Sequence, residues 1–294
     1  MSRYLVTGGS GRLGPSVVAA LAEAGHEVVS VDREPSFDPG VERVSLDLLD
    51  AAATAALLAE LRPHGVIHLA AIALPGAAPD PEMFATNTSL AMNVLEAAVR
   101  AGTGQLLMAS SPTVIGYGAP GGWQPRSVPI DEEHPTEPWN GYAVSKLAVE
   151  EIAAMAARKH GDALRVGTFR PCFVISPDEW RGTPTQQGHT VRERLADPAL
   201  SAVALFNYVD ARDAADFALA WTRGAASIPN GECFFVGAAD SLVEEPLADA
   251  LARYFPGIVA PPGVQAVFSC AKAERLLGWK PTRSWTKELE REHG

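Results

Sequence analysis

Gly8, Gly11 and Gly14, spaced G-x-x-G-x-x-G, stand between a short apolar run, Tyr4-Leu5-Val6, and a helical pattern that puts Val17, Val18, Leu21 and Ala22 on one face. No other feature restricts the fold of this chain as much. An apolar run of that length ending at Thr7 reads as a buried strand. Glycine permits the tight turn and the close approach of backbone to ligand that a side chain would block. A helix beginning just after such a turn offers unpaired N–H groups and the positive end of its dipole to an anion. Strand, glycine loop and helix in that order make the phosphate-binding part of a dinucleotide unit. Gly8, Gly11, Arg12, Leu13 and Gly14 are the first candidate cofactor residues.

A second strand, Glu27-Val28-Val29-Ser30-Val31, ends at Asp32. An acid there can accept both ribose hydroxyls of an adenosine and would repel a 2′-phosphate, which favours NAD. Arg33 and Arg12 are cations within reach of such a phosphate, so NADP is the alternative. Asp47-Leu48 follows a third strand, Glu42-Arg43-Val44-Ser45; Asp47 either contacts the adenine or caps the helix beginning near Asp50. Val66-Ile67-His68-Leu69-Ala70-Ala71 is a fourth strand, on which His68 reads as a satisfied core residue. Strands alternate with helices through about Arg170, which predicts an α/β fold: a Rossmann-type doubly wound parallel sheet with a smaller C-terminal substrate-binding lobe. The expected division is 1–170 for the dinucleotide-binding core and 171–294 mainly for the lobe, with a segment near 208–225 returning to the core. With 294 residues, 47% of them hydrophobic, the chain can bury a core of that size.

The catalytic candidates lie in the second half of that core. Gln105-Leu106-Leu107-Met108-Ala109-Ser110-Ser111 reads as a fifth strand, and a serine past the carboxyl end of a parallel strand sits at the usual ligand edge. Ser111 can hydrogen-bond a substrate oxygen as its charge changes, a role open also to Ser110 and Thr113. After a long proline- and glycine-rich loop, Asn140 or Gly141 starts a helix carrying Tyr142 and Lys146. Residues four apart share a helix face, which brings an ammonium to a phenol. A neighbouring cation favours the phenolate, so the pair can provide a proton acceptor near neutral pH.

A net charge of −11 without basic clusters argues against nucleic-acid binding. No apolar stretch is long enough to span a bilayer. Cys172, Cys233 and Cys270 are scattered, with no metal-ligand spacing, and suggest reduced thiols in a cytoplasm. Pro177 to Pro198 is a polar insertion with Arg181, His189, Arg192 and Arg194; it is expected to cover the active site, its cations either binding a carboxylate or phosphate or lying in solvent. Asp210 and Asp213 are expected to cap the helix holding Phe217, Leu219 and Trp221, and Trp279 and Trp285 to pack the C-terminal lobe.

Taken in order, these motifs resemble the extended short-chain dehydrogenase/reductase family, often called NAD-dependent epimerases/dehydratases. The resemblance covers most of the chain: Thr7 to Gly14, Asp32, Asp47-Leu48, His68-Leu69-Ala70-Ala71, Asn87, Ser110-Ser111, Tyr142-x-x-x-Lys146, Arg170-Pro171, Tyr208 to Asp213, and Ala273 to Pro281. It implies that Tyr142 is the general acid or base, that Lys146 holds the nicotinamide ribose and lowers the pKa of Tyr142, and that Ser111 positions the substrate oxygen while hydride passes to or from the nicotinamide. It also implies that Leu69, Ala70, Ala71, Asn87 and Pro171 border the cofactor, Asn87 as a structural or relay residue, and that the protein forms a homodimer; the Ala-rich face of the Lys146 to Ala157 helix either serves a two-fold interface or packs inside one subunit.

Three departures bear on the substrate. Dehydratases of the family carry Asp-Glu directly after the strand-end hydroxyl, where this chain has Pro112-Thr113. Nucleotide-sugar enzymes usually show an Asn where this chain has Cys172-Phe173, and an Arg where it has Ala204-Leu205-Phe206. Ile115-Gly116-Tyr117 is locally similar to uronate dehydrogenases. The expectation is an NAD-dependent dehydrogenase or epimerase acting on a secondary alcohol or carbonyl of a sugar-like small molecule. The alternatives are an NADPH-dependent aldehyde or ketone reductase, and a dinucleotide-sensing binding protein, against which retention of Tyr142 and Lys146 counts.

Overall fold

The computed structural model describes residues 1–35 and 40–290. Its main sheet is built from β1 (Arg3–Thr7), β2 (Glu27–Asp32), β3 (Glu42–Ser45), β4 (Gly65–His68), β5 (Gln105–Ala109), β6 (Arg165–Pro171) and a later strand, Cys233–Val236. The spatial order is β3-β2-β1-β4-β5-β6 and then Cys233–Val236, with every pairing parallel. This is the doubly wound sheet anticipated from the sequence. The order reverses between β1 and β4, and at such a switch point the carboxyl ends of the strands are where an open α/β sheet binds its ligand.

Period-two alternation sends each strand's residues to opposite layers. Tyr4 and Val6 of β1, Ile67 of β4 and Leu107 of β5 face one core, which also holds Val17, Val18 and Leu21 of α1 (Gly14–Glu23). Leu5, Val66, Leu106 and Met108 face the other, against α2 (Ala51–Leu61), α3 (Asp80–Ala101) and α4 (Gly141–His160). Both faces of the sheet are covered, which is why its strands read as continuous apolar runs.

A second parallel pair, β7 (Val174–Ile175) with β8 (Val209–Asp210), organises the lobe. Between them lie α5 (Pro177–Trp180), α6 (Val191–Ala196) and α7 (Ala199–Ala202). After β8 the chain enters α8 (Ala211–Gly224), which packs on α1. The strand Cys233–Val236, now β9, then completes the main sheet beside β6. That return was not anticipated. Four residues carry too little periodicity to announce a strand whose partner lies some 65 positions earlier in the chain. The remaining helices are α9 (Leu247–Tyr254), α10 (Ala271–Leu277) and α11 (Trp285–Glu290).

Several local expectations take a different form. Asp50, not Asp47, caps α2, accepting from the amides of Ala52 and Ala53; Asp47 closes its own turn onto the Leu49 amide. Asp210 caps α8 by accepting from the Arg212 amide. Asp213 instead anchors the C-terminal segment, accepting from the amides of Thr282 and Arg283. Trp279 packs on α8 at 5.4 Å from Phe217, its indole donating to the Asp213 carbonyl. In the 177–198 segment, Arg181 pairs with Asp178, and Arg194 is 1% exposed, its guanidinium satisfied by Thr185, Gln187 and the Leu200 carbonyl. Those two cations are engaged internally rather than offered to a ligand.

Candidate active site

The loop after β1 is shaped by contacts that only glycine allows. Gly8 has φ +70°, and a Cβ there would lie 2.7 Å from the Ala70 amide nitrogen, so this turn nests against the residues following β4. A Cβ on Gly14 would strike the backbone of Gly8 and Gly9. No side chain caps α1 at Leu13, which leaves its first-turn amides to an anion. At the end of β2, Asp32 accepts from the Ser10 amide at 3.1 Å and from the Arg33 amide at 2.8 Å, tying the glycine loop to the acid. These features fit a dinucleotide: a glycine cradle, an uncapped helix start and a carboxylate one strand over. Arg12, one of the two cations that kept NADP open, forms an ion pair with buried Glu179 of α5.

The residues after β4 form the floor between this loop and α4. The Thr7 hydroxyl accepts from the Ala70 amide and contacts His68 Nδ1 at 2.7 Å. Burial, reinforced by the Lys146 charge, pushes the His68 pKa down to about 3, so it is a neutral imidazole that shares this hydrogen bond with Thr7. Asn87 then joins floor to helix. Its Oδ1 accepts from the Ile72 amide at 2.8 Å, and its Nδ2 donates to the Ile72 carbonyl and to Ser145 Oγ. Ser145 Oγ in turn donates to the carbonyl of Tyr142 at 2.7 Å.

Asn140 caps α4 by accepting from the Ala143 amide. One turn in, Tyr142 and Lys146 share a face as their spacing requires, with Lys146 Nζ 5.9 Å from the Tyr142 ring centroid. Both are buried, at 7% and 5% exposure. Lys146 Nζ donates to the Ala109 carbonyl at the end of β5 at 2.9 Å. Ser111, just beyond β5, receives the Thr113 hydroxyl at 2.9 Å and acts to lower the pKa of the Tyr142 phenol. Ser111, Tyr142 and Lys146 thus converge at the carboxyl edge of the sheet.

The electrostatics differ from the sequence expectation. Burial pushes Tyr142 up to about 12, with Ser111 acting in the opposite direction, and pushes Lys146 down to about 8. Desolvation outweighs the cation's help to the phenolate because the ammonium is itself dehydrated and turned toward Ala109. Near neutral pH the phenol therefore holds its proton and is poised as a donor.

Further groups border the phenol. Burial raises the pKa of Tyr117, the charges of Cys172 and Tyr142 acting in the same direction and the Asn207 side chain against it. The Tyr117 ring lies 6.3 Å from those of both Trp123 and Phe268. Asn207 Oδ1 accepts from the Phe173 amide at 2.9 Å. Leu205 and Phe206, just before Asn207, have φ of +53° and +56° and are fully buried. In the sequence, Tyr117 stood only as a point of likeness and Cys172 as a scattered thiol and a departure from a pattern, while Asn207 carried no reading. Ser110, an alternative to Ser111, donates instead to Glu150 at 2.6 Å, and Glu150 holds Arg170 through two contacts of 2.8 Å.

A family model, "NAD dependent epimerase/dehydratase family", matches residues 4–237. The chain belongs to this family. It is an enzyme of a family whose chemistry depends on NAD. UDP-glucose 4-epimerase of Streptomyces lividans is 30% identical over 315 residues, covering 96% of this chain and 92% of that protein. The 3-diazoavenalumate denitrifying reductase of a Streptomyces species is 31% identical over 298 residues, covering 97% and 90%. Among solved structures, UDP-glucose 4-epimerase of Thermus thermophilus in complex with NAD superposes with a TM-score of 0.71 at 25% identity, covering 98% of this chain and 96% of that one. Among the described residues no helix is long and apolar enough to cross a membrane, and no cluster of three or more His, Cys, Asp or Glu could hold a metal.

Proposed function

We propose that this enzyme transfers hydride between NAD and the carbon of a secondary alcohol or carbonyl in a sugar-like molecule, with Tyr142 as general acid and base. The convergence of Ser111, Tyr142 and Lys146 beside a loop built for a dinucleotide supports this reading. Gly8, Gly11, Leu13 and Gly14 would cradle the pyrophosphate, Asp32 would hold the adenosine ribose, and Leu48, Leu69, Ala70, Ala71 and Pro171 would line the remaining cofactor surface. Bound NAD supplies the hydride acceptor or donor. In the reducing direction Tyr142 gives its proton to the substrate oxygen, which Ser111 holds. The Lys146 ammonium helps to hold the phenolate that this leaves, and in the oxidising direction that phenolate takes the proton back from the substrate hydroxyl. Asn87, through Ser145, keeps the turn carrying Tyr142 at a set height over the floor.

Relatives of similar identity are an epimerase and a reductase, so overall likeness does not choose between retained and released cofactor. The NADPH reading loses support where Arg12 is engaged by Glu179. A second copy of the chain could dock on the paired α3 and α4, where Phe84 and Val144 are 41% and 39% exposed. The test is turnover of NAD-loaded protein with UDP-glucose, UDP-galactose and free sugars, read as product formation and as absorbance of NADH. Tyr142→Phe should lose about 100-fold or more in rate while binding NAD as before. Undiminished turnover in that variant would rule Tyr142 out.

A further inference from the structure

We propose that Glu179 is a positioning residue for the dinucleotide loop: its ion pair with Arg12 clasps the lobe to the phosphate end of the cleft and sets how fast the cofactor exchanges. The inference rests on reading the Gly8 to Gly14 loop as the cofactor site.

The two walls of the cleft come from distant parts of the chain, and this pair bridges them. Arg12 stands between Gly11 and Gly14, at the uncapped start of α1. Its side chain is 35% exposed and reaches across to Glu179, whose side chain is 2% exposed. A carboxylate so deeply buried needs a compensating charge, and Arg12 is its ion-pair partner. The other Glu179 oxygen, Oε2, is already used, accepting from the Ser176 amide at 2.6 Å to close the first turn of α5.

The anchor behind Glu179 is firm. Trp180 is 3% exposed, and its indole donates to Asp210 Oδ2 at 2.8 Å. Asp210 caps α8, and α8 packs on α1. The contacts from α1 through α8, Asp210, Trp180 and Glu179 to Arg12 form a continuous path that ties the β7–β8 region to the glycine loop. On this proposal a dinucleotide entering or leaving loosens that path at the ion pair, whose Arg12 side chain is the partly exposed member.

A clasp acts on both directions of exchange, whereas a simple phosphate ligand or a simple repulsive charge acts mainly on one. Glu179→Gln separates the cases. Its amide still accepts from Ser176, because Gln serves at this position of a capping box as Glu does, but the charge that holds Arg12 is gone. The experiment is stopped-flow NADH fluorescence on the full chain, giving association and dissociation rates, together with a melting curve. We expect both rates to rise about fivefold, the change matching a partly exposed ion pair, with affinity altered less than either rate and the melting temperature nearly kept. Rates within twofold of the parent overturn the proposal. So does slower dissociation at unchanged association, which would make Glu179 only a repulsive charge. If Glu179→Gln melts too early to assay, Arg12→Lys, which keeps the cation but shortens its reach, carries the same expectation. Failure of the parent protein to bind NADH would overturn the cofactor reading itself, a result distinct from unchanged rates in the variant.

Discussion

Lys146 should weaken the ligand-free protein, and replacing it by methionine should make that protein more stable. The ammonium is buried against the end of β5 with the Ala109 carbonyl as its hydrogen-bond acceptor. Its pKa falls from an ordinary 10.5 to about 8, because burial disfavours the charged form. At 1.36 kcal/mol per pH unit, that depression corresponds to roughly 3 kcal/mol. The sign follows from proton binding. Between pH 8 and 10.5 the unfolded chain holds this proton more tightly than the folded one, so stability rises with pH across that window. Below pH 8 the full cost of the buried charge is present; above 10.5 the amine is neutral in both states and the cost disappears. Lys146→Met removes the charge at similar volume but leaves the Ala109 carbonyl without a donor, a loss of about 1 kcal/mol. The net gain near pH 7 is therefore ~2 kcal/mol, read as a rise of a few degrees in melting temperature. Differential scanning calorimetry of both proteins without NAD, at pH 7 and at pH 10.5, is the assay. The variant should melt higher at pH 7, and the advantage should shrink or reverse at pH 10.5. A variant destabilised equally at both pH values would refute the argument, since it would show Lys146 to be a packing residue whose charge carries no penalty.

Two further outcomes follow from the same site. In a difference absorbance titration of the parent against Tyr142→Phe, the Tyr142 phenolate should appear only toward pH 12 in the ligand-free protein; a phenolate already present near pH 8 would show that Lys146 outweighs burial. Asp32→Asn keeps an oxygen to accept from Ser10 and Arg33 but removes the charge, so the ratio of NADP to NAD affinity should rise about tenfold, the effect of ~1.4 kcal/mol. An unchanged ratio in calorimetric titration would show that Asp32 does not face the ribose.

The parts of the molecule legible in the sequence are those determined by local pattern. The run at Tyr4 to Val6, the glycines after it and the Ala51 to Leu61 helix each carry their own periodicity or backbone demand, and each forms where that pattern puts it. Tyr142 and Lys146 share a face because helix geometry alone requires it. What escaped depended on distant partners. β9 exists because β6 offers it an edge, and Glu179 meets Arg12 only after the lobe has folded back on α1. Asp47 reads as a cap from its place before the Ala-rich helix, and only the folded first turn of α2 gives that role to Asp50. The direction of the Tyr142 pKa was misread for a related reason. Spacing reveals a neighbouring charge, but burial, which dominates here, comes from the whole fold.

The late return of β9 has a consequence for how the polypeptide could be divided. Sequence logic places a seam near residue 170, yet the strand ending at Pro171 is flanked on its far side by Cys233–Val236. A fragment stopping at that seam would carry a raw hydrogen-bonding edge made of Thr168 to Pro171, with Phe169 stripped of the neighbouring Phe217 ring. Such edges recruit other chains. The two halves are therefore laced rather than strung in tandem, and a newly made N-terminal half must wait for the ribosome to deliver another sixty-odd residues before its last strand finds cover.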